Sequence, residues 1–254
     1  MNRSIKVLSF NIRYDNPKDG FNSWEHRRQM VFDIIRKSGA DFIGIQEAVI
    51  HQVHQIEAEF PELGCVSRSR EVSTDWGEGC PIFYRRSKWE VKEFGTFWHS
   101  KDIYSPGSKS WNNPLPRITT WIHFRSREDD SQIVVYNTHL DYESILCRDN
   151  SVKLMIEHWQ NHHKNLPLII TGDFNSHEDN QCILEMKSHF TDTYRKIKSD
   201  DGNSFHGWSR RAYERIDYIF CTKQFNVDDS FLITECPQGR YPSDHYPLAT
   251  VLSY

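Results

Sequence analysis

Six short segments of this chain combine carboxylates, amides and histidines at the ends of apolar runs. They are Ser9-Phe10-Asn11, Ile45-Gln46-Glu47, Asn137-Thr138-His139-Leu140-Asp141, Thr171-Gly172-Asp173-Phe174-Asn175, Arg215-Ile216-Asp217-Tyr218 and Ser243-Asp244-His245-Tyr246-Pro247. Attack of water on a phosphate ester needs a hard cation on a phosphoryl oxygen, a base for the water and a donor near the leaving group. Glu47, Asp173, Asp244 and the amides of Asn11 and Asn175 are oxygen ligands, which suit Mg²⁺ or Mn²⁺ far better than zinc. Singly, each segment reads equally well as turn chemistry: the Gly172-to-Asn175 stretch makes a plausible Asx turn, and a lone carboxylate makes a helix cap. Their order, each after a strand-like run, argues for one site.

The elements that must position these residues alternate along the chain. Ile5 to Phe10 reads as a strand. Asn22-Ser23 followed by Glu25 resembles a capping box, and Trp24, Val31, Ile34 and Ile35 recur at helical spacing until Gly39,. Asp41 to Gln46 reads as a buried strand, and a short helix through Val53, Ile56 and Phe60 stops at Pro61,. Strands are expected over 80–85, 89–94, 119–125 and 133–138, then a helix through Val152, Met155, Ile156 and Trp159,. Further strands are expected over 166–171, 216–221, 231–234 and 248–252. Many strands with few helices imply two sheets flanked by helices. No repeat, low-complexity tract or long linker divides the chain, so a single domain over 1–254 is expected.

On these motifs, the chain resembles the endonuclease/exonuclease/phosphatase superfamily over residues 5 to 252. Asn11 to Asp15 and the Pro106-to-Trp111 loop match its small stand-alone bacterial-type hydrolases. The resemblance implies an α+β fold: a four-layer α/β/β/α sandwich of two mainly antiparallel sheets packed face to face with helices outside, DNase-like. It implies Glu47 as the main metal ligand with Asn11 and Asp244 nearby, and His139 and His245 as phosphate-contacting or acid/base groups, each oriented by a carboxylate. Glu78 is expected to serve His139 and Asp217 to serve His245, because such a partner stabilises imidazolium and selects the ring nitrogen that faces the phosphate. Asp173 would orient or deprotonate the attacking water while Asn175 donates to a phosphoryl oxygen, since carboxylates only accept and amides also donate. Arg117, Asn137 and Asn175 are assigned to phosphate binding; the planar fork of Arg117 suits two oxygens, with a surface salt bridge as its alternative. Arg13 stands where abasic-site enzymes carry an extra acidic residue, so a metal arrangement borrowed from them does not transfer.

Composition limits the substrate. A formal charge of −4 offers no general attraction to a polyphosphate, and extended duplex binding would need a local basic surface. Arg68-Arg70, Arg85-Arg86-Lys88 and Arg210-Arg211-Arg215 are the candidates. The expected reaction is metal-dependent hydrolysis of a phosphodiester or phosphomonoester in a small molecule or a nucleic-acid end, with Mg²⁺ or Mn²⁺ as cofactor. A true endo- or exonuclease is the alternative, and a non-catalytic binding scaffold the second. The Phe97-to-Asn113 segment, rich in aromatics and amides, can grip a base or a sugar ring, or simply pack.

Six cysteines without a Cys-x-x-Cys pair argue against both a structural zinc site and a dense disulfide framework. The N-terminus runs straight into a strand, with no apolar run of signal-peptide or membrane-spanning length. A cytoplasmic protein is expected, with no membrane association and no protein partner evident.

Overall fold

The computed structural model describes residues 3–209 and 211–254. Its strands, in chain order, are β1 (Ser4–Asn11), β2 (Phe42–Gln46), β3 (Ala48–Val49), β4 (Leu63–Val66), β5 (Glu78–Gly79), β6 (Ile82–Arg85) and β7 (Trp89–Trp98). There follow β8 (Ile118–Ser126), β9 (Gln132–His139), β10 (Leu168–Asp173), β11 (Thr191–Asp192), β12 (Asp217–Cys221), β13 (Asn226–Leu232) and β14 (Leu248–Ser253). The α-helices are α1 (Trp24–Ser38), α2 (Ile50–Glu59), α3 (Ile145–His162), α4 (Gln181–His189) and α5 (Thr193–Ile197).

One sheet has the order β13-β14-β1-β2-β6-β4 and the other β11-β12-β10-β9-β8-β7, while β3 pairs with β5 alone. Both large sheets are antiparallel except at their centres, where β1 runs parallel to β2 and β9 parallel to β10. A parallel pair needs a crossover, and here α1 links β1 to β2 and α3 links β9 to β10. The two β-α-β units meet sheet to sheet, with β1 against β10 and β2 against β9.

Three apolar clusters separate four layers. Leu8, Phe10 and Ile43 pack under Val31, Ile35 and Val53 of the first two helices. Val7, Phe42, Val135 and Ile169 fill the space between the sheets. Tyr136, Ile170 and Phe220 pack against Val152, Met155 and Ile183 of α3 and α4. The α/β/β/α sandwich is therefore the observed architecture. Alternation of side chains along each strand sends odd positions of β1, β9 and β10 inward between the sheets and even ones toward the helices.

Several local expectations change. Ser23 is the N-cap of α1 but makes no side-chain cap bond; Glu25 is the second helical residue rather than the third, one position short for a capping box. Gly39 does end α1, at φ 57°, where a side chain is strained. The strand expected over 89–94 continues to Trp98, and Phe97 and Trp98 are buried in the core. The strand expected at 231–234 begins at Asn226: β13 is a polar edge strand with a bulge between Val227 and Asp229, a place where charge replaces apolar alternation. Helices α4 and α5 were not anticipated, although Cys182, Ile183 and Met186 bury one face of α4.

The inter-sheet space changes character along its length. From Val7, Val135 and Ile169 the same inward faces run on to Ser9 and Asn11, Asn137 and His139, and Thr171 and Asp173. There the sheets come so close that a Cβ on Gly44 would lie 1.9 Å from Thr171 Oγ1 and 2.7 Å from Asn137 Oδ1. Only glycine permits that approach.

Candidate active site

The polar end of the sandwich opens into a cleft of about 490 Å³ lined by residues that include Arg13, Glu47, Arg70, Glu78, Arg117, His139, Asp173, Asn175, Asp244 and His245. The carboxyl ends of the two central parallel pairs deliver Arg13, Glu47, His139, Asp173 and Asn175, as expected of crevices at the ends of parallel strands. Asn11, the last residue of β1, donates from Nδ2 to Glu47 Oε1 (3.0 Å) and to Asp173 Oδ2 (2.9 Å), so one amide ties the two sheets together at the cleft floor. Glu47 follows β2 at φ 63°, an uncommon conformation for glutamate and one found at functional positions; its Oε2 accepts from Tyr14 N at 3.1 Å. Asp173 ends β10. Its Oδ1 accepts from Asn175 N (2.9 Å), and its Oδ2 lies 3.5 Å from His139 Nε2 and 3.8 Å from His245 Nε2.

His245 Nδ1 lies 2.8 Å from Asp217 Oδ2, which also accepts from Ser204 Oγ at 2.6 Å. Burial opposes the charged imidazolium, but Asp217, Asp173 and Asp244 outweigh it and the pKa rises. His139 goes the other way. Burial, then Arg117 and Arg70, hold it well below the usual histidine range, and Asn175 Nδ2 donates to its Nε2 at 3.0 Å, which requires an unprotonated nitrogen. Burial and the nearby Asp217 raise the Asp173 carboxyl, and burial, with Glu47 adding to it, raises Asp244. Adjacent titratable groups with diverging pKa values are the pattern of acid/base sites.

The donor set is rich in carboxylates. Asp173, Asp217 and His245 offer ligand atoms within 4.8 Å of one another and form a buried group able to hold a metal. In that group, however, Asp217 and His245 Nδ1 hold each other. Among the described residues Glu47 and Asp244 have no closer cation than Arg13, at 3.9 and 4.0 Å, and a hard divalent cation fits their oxygens well.

The chain matches the Endonuclease/Exonuclease/phosphatase family over residues 8–245. The chain belongs to that family. Endonucleases, exonucleases and phosphatases all hydrolyse phosphate esters, and that reaction class comes with membership. Among solved structures of the family, an endonuclease/exonuclease/phosphatase from Bacteroides vulgatus superposes with a TM-score of 0.93 at 30% identity, covering 98% of each chain. A mannosyl-6-phosphatase from Bacteroides thetaiotaomicron superposes with a TM-score of 0.91 at 29% identity, covering 98% of this chain and 100% of that one. The CCR4-Not complex 3'-5'-exoribonuclease subunit Ccr4 of Kluyveromyces lactis is 21% identical over 98% of this chain, which spans only 41% of that relative's length.

Within this family member the structure brings Asn11, Glu47, His139, Asp173, Asn175, Asp217, Asp244 and His245 to one cleft, with Asp173 in contact with Asn11, Asn175, His139 and His245. Two expected site residues take partners other than those expected. Glu78 takes both oxygens to Arg70, at 2.8 Å each, and makes no hydrogen bond to His139; the bidentate arginine pair outcompetes a single imidazole N–H. Asn137 is fully buried below the cleft. It donates to Ile45 O (2.7 Å) and Pro81 O (2.9 Å) and accepts from Gln46 Nε2 (2.7 Å) and Thr171 Oγ1 (3.0 Å), so no bonding capacity is left for phosphate.

Arg117 does line the cleft, 3.5 Å from Asp141, with its Nε lacking a hydrogen bond. Of the segment from Phe97 to Asn113, Phe97, Trp98 and His99 are core residues. Leu115, just beyond it, touches the cleft, with Tyr142, Phe205 and Glu214 opposite in sequence. None of these four, nor the Arg70 pairing, carried a motif signal; each is recruited from a loop by the fold.

Proposed function

We propose that the chain is a Mg²⁺- or Mn²⁺-dependent phosphatase that hydrolyses a small phosphate ester by in-line attack of water. The observation that carries this reading is the Asn11 amide. It binds Glu47 with the same nitrogen that binds Asp173, which places the metal-ligating and water-handling carboxylates one side chain apart. Glu47, Asn11 and Asp244 would hold the cation. When bound, it polarises a phosphoryl oxygen and offsets charge that builds there. Asp173 accepts the proton of the attacking water. Asn175 and His139, which bond each other on the cleft wall, would face the phosphoryl oxygens, with Asn175 turning an N–H from Leu140 O or His139 to the substrate, and the His245–Asp217 pair would supply a positively charged donor to the transition state. Arg117 lines the same space with its Nε turned to Asp141.

The similarity to a mannosyl-6-phosphatase over the whole chain favours a monoester of low mass. The exoribonuclease relatives favour a nucleic-acid end as the second reading, which needs a basic track beside the cleft. Of the basic clusters, Arg68-Arg70 reaches the cleft through Arg70, whose guanidinium is paired with Glu78; Arg85, Lys88 and Arg215 are engaged elsewhere. Arg85 pairs its backbone with Asp41 at the start of β2, far along the sheet from Glu47, and Lys88 bonds Asp41. Arg215 is buried against Asp192 and Glu178, and Arg210 lies outside the described residues. A cytoplasmic setting, where thiols stay reduced, suits the six free cysteines. No helix of the described residues is long and apolar enough to cross a membrane.

Hydrolysis of p-nitrophenyl phosphate should require Mg²⁺ or Mn²⁺ and disappear on chelation; turnover that persists in chelator overturns the metal assignment.

A further inference from the structure

Beyond the phosphate-handling residues, the cleft is lined by side chains to which the reaction assigns nothing. Tyr142 stands three residues after His139, on a turn held by Asp141 Oδ1, which accepts from Glu143 N (3.0 Å) and Ser144 N (2.7 Å). It lines the cleft yet is 54% exposed, with the Arg117 guanidinium 5.8 Å from its ring centre. Glu214 lines the same cleft from the segment that precedes β12. Its backbone is fixed to the active site by two bridges: Phe205 pairs with Glu214 on one side and with His245 on the other. Adjacent strands lie about 4.8 Å apart, so Glu214 stands roughly 10 Å from His245 across this ladder, about the reach of a phosphate plus one six-membered ring.

The neighbouring Arg215 points away to Asp192 and Glu178, leaving Glu214 without a salt bridge among the described residues. An aromatic face and a carboxylate acceptor lining one cleft suit a ring that carries hydroxyls: the C–H face packs on the ring and the hydroxyls donate to the carboxylate. A second phosphate at that position would instead meet like charge. The cleft arginines do not restore a polyanion track, because Arg13 is held by Asp19 (3.0 Å), Arg70 by Glu78 (2.8 Å) and Arg117 by Asp141 (3.5 Å).

We propose that Tyr142 and Glu214 form the leaving-group subsite of this cleft, taking a hydroxyl-bearing ring attached to the phosphate and turning polyphosphates away. The inference rests on the phosphatase reading and deepens it from reaction to substrate class.

The test compares mannose 6-phosphate and glucose 6-phosphate with n-propyl phosphate, which has neither ring nor free hydroxyl. The purified chain should prefer at least one hexose ester. In Glu214→Ala and in Tyr142→Ala, the ratio of kcat/KM for that ester to kcat/KM for propyl phosphate should fall about tenfold, with the loss in KM, as expected when hydroxyl partners or ring contacts are removed. Tyr142→Phe should keep the ratio, and thermal unfolding confirms that each variant folds. A ratio within twofold of the parent in both alanine variants overturns the subsite, as does a parent that cleaves propyl phosphate with no preference for either hexose. A parent inactive on all three esters with Mg²⁺ or Mn²⁺ overturns the phosphatase reading itself.

Discussion

The two ends of the space between the sheets are built on the same strands and differ in everything else. At one end Val7, Phe42, Val135 and Ile169 interlock, and removal of apolar surface from water holds the sheets together,. Four residues further along β1 and β10, the same faces present Asn11 and Asp173. There the sheets are held by side-chain hydrogen bonds through Asn137, Gln46 and Asn11, and the approach is close enough to demand Gly44. At the cleft end, Asp217 Oδ1 has no hydrogen-bond partner among the described residues, and Arg117 Nε and Asp141 Oδ2 face each other at 3.5 Å. Stability and reactivity are thus segregated along each strand, and a polar network pays for its specificity by leaving reactive groups at its rim.

Three experiments break or sharpen this contrast, taken from the largest expected effect downward. Asp173→Asn should lower kcat by about 10²–10⁴-fold, the usual worth of a positioned base. It should not lower the melting temperature, because burial already disfavours the Asp173 carboxylate. A rate within tenfold of the parent would remove the polar end from catalysis.

Asn137→Ala and Ile169→Ala test the two ends as structure. The first removes bonds to two backbone carbonyls, the Gln46 amide and the Thr171 hydroxyl, of which Pro81 O, Gln46 Nε2 and Thr171 Oγ1 keep other partners, at a cost of about 1–3 kcal/mol; the second opens an apolar cavity, at about 2–5 kcal/mol. Urea unfolding measures both. An Asn137 variant that keeps its stability but loses turnover would return that residue to phosphate binding.

The smallest effect lies outside the inter-sheet space. Under α3, Tyr136 OH bonds His158 Nδ1 (2.6 Å) and His163 Nδ1 (3.0 Å). Burial, then neighbouring histidines, holds His158 down to about 3 and His163 to about 4. Unfolded histidine titrates near 6.5, so the unfolded chain takes up protons first. Stability is therefore full above about pH 6.5 and falls as pH drops toward 4, by up to ~1.4 kcal/mol per unit for each ring. His163→Gln should flatten that profile in a melting series; an unchanged slope would move the acid-sensitive point to the polar end.

How much of this could be read from the chain varied by residue. Asp173 and Asn175 were legible because a strand that ends in Gly-Asp-Phe-Asn combines a period-two apolar run with acceptor and donor side chains. Helix α1 was legible from Trp24 to Gly39 for the same kind of reason. Edge strand β13 was not, because an exposed strand needs no apolar face, and α4 and α5 were too short for their periodicity to stand out.

The sequence by itself determined the layers, the strands that carry the site and the chemical types at their ends, since these follow from spacing along a local backbone. The tertiary structure alone decided partners. Asn137 and Asn175 share a residue type and a place after a strand, yet one is spent bridging the sheets and the other faces the cleft. Glu78 pairs with Arg70 rather than His139, and Tyr142 and Glu214 line one cleft that no local pattern announces. Which groups meet depends on how distant segments pack and in what register, and nothing in the spacing of either partner records the distance between them.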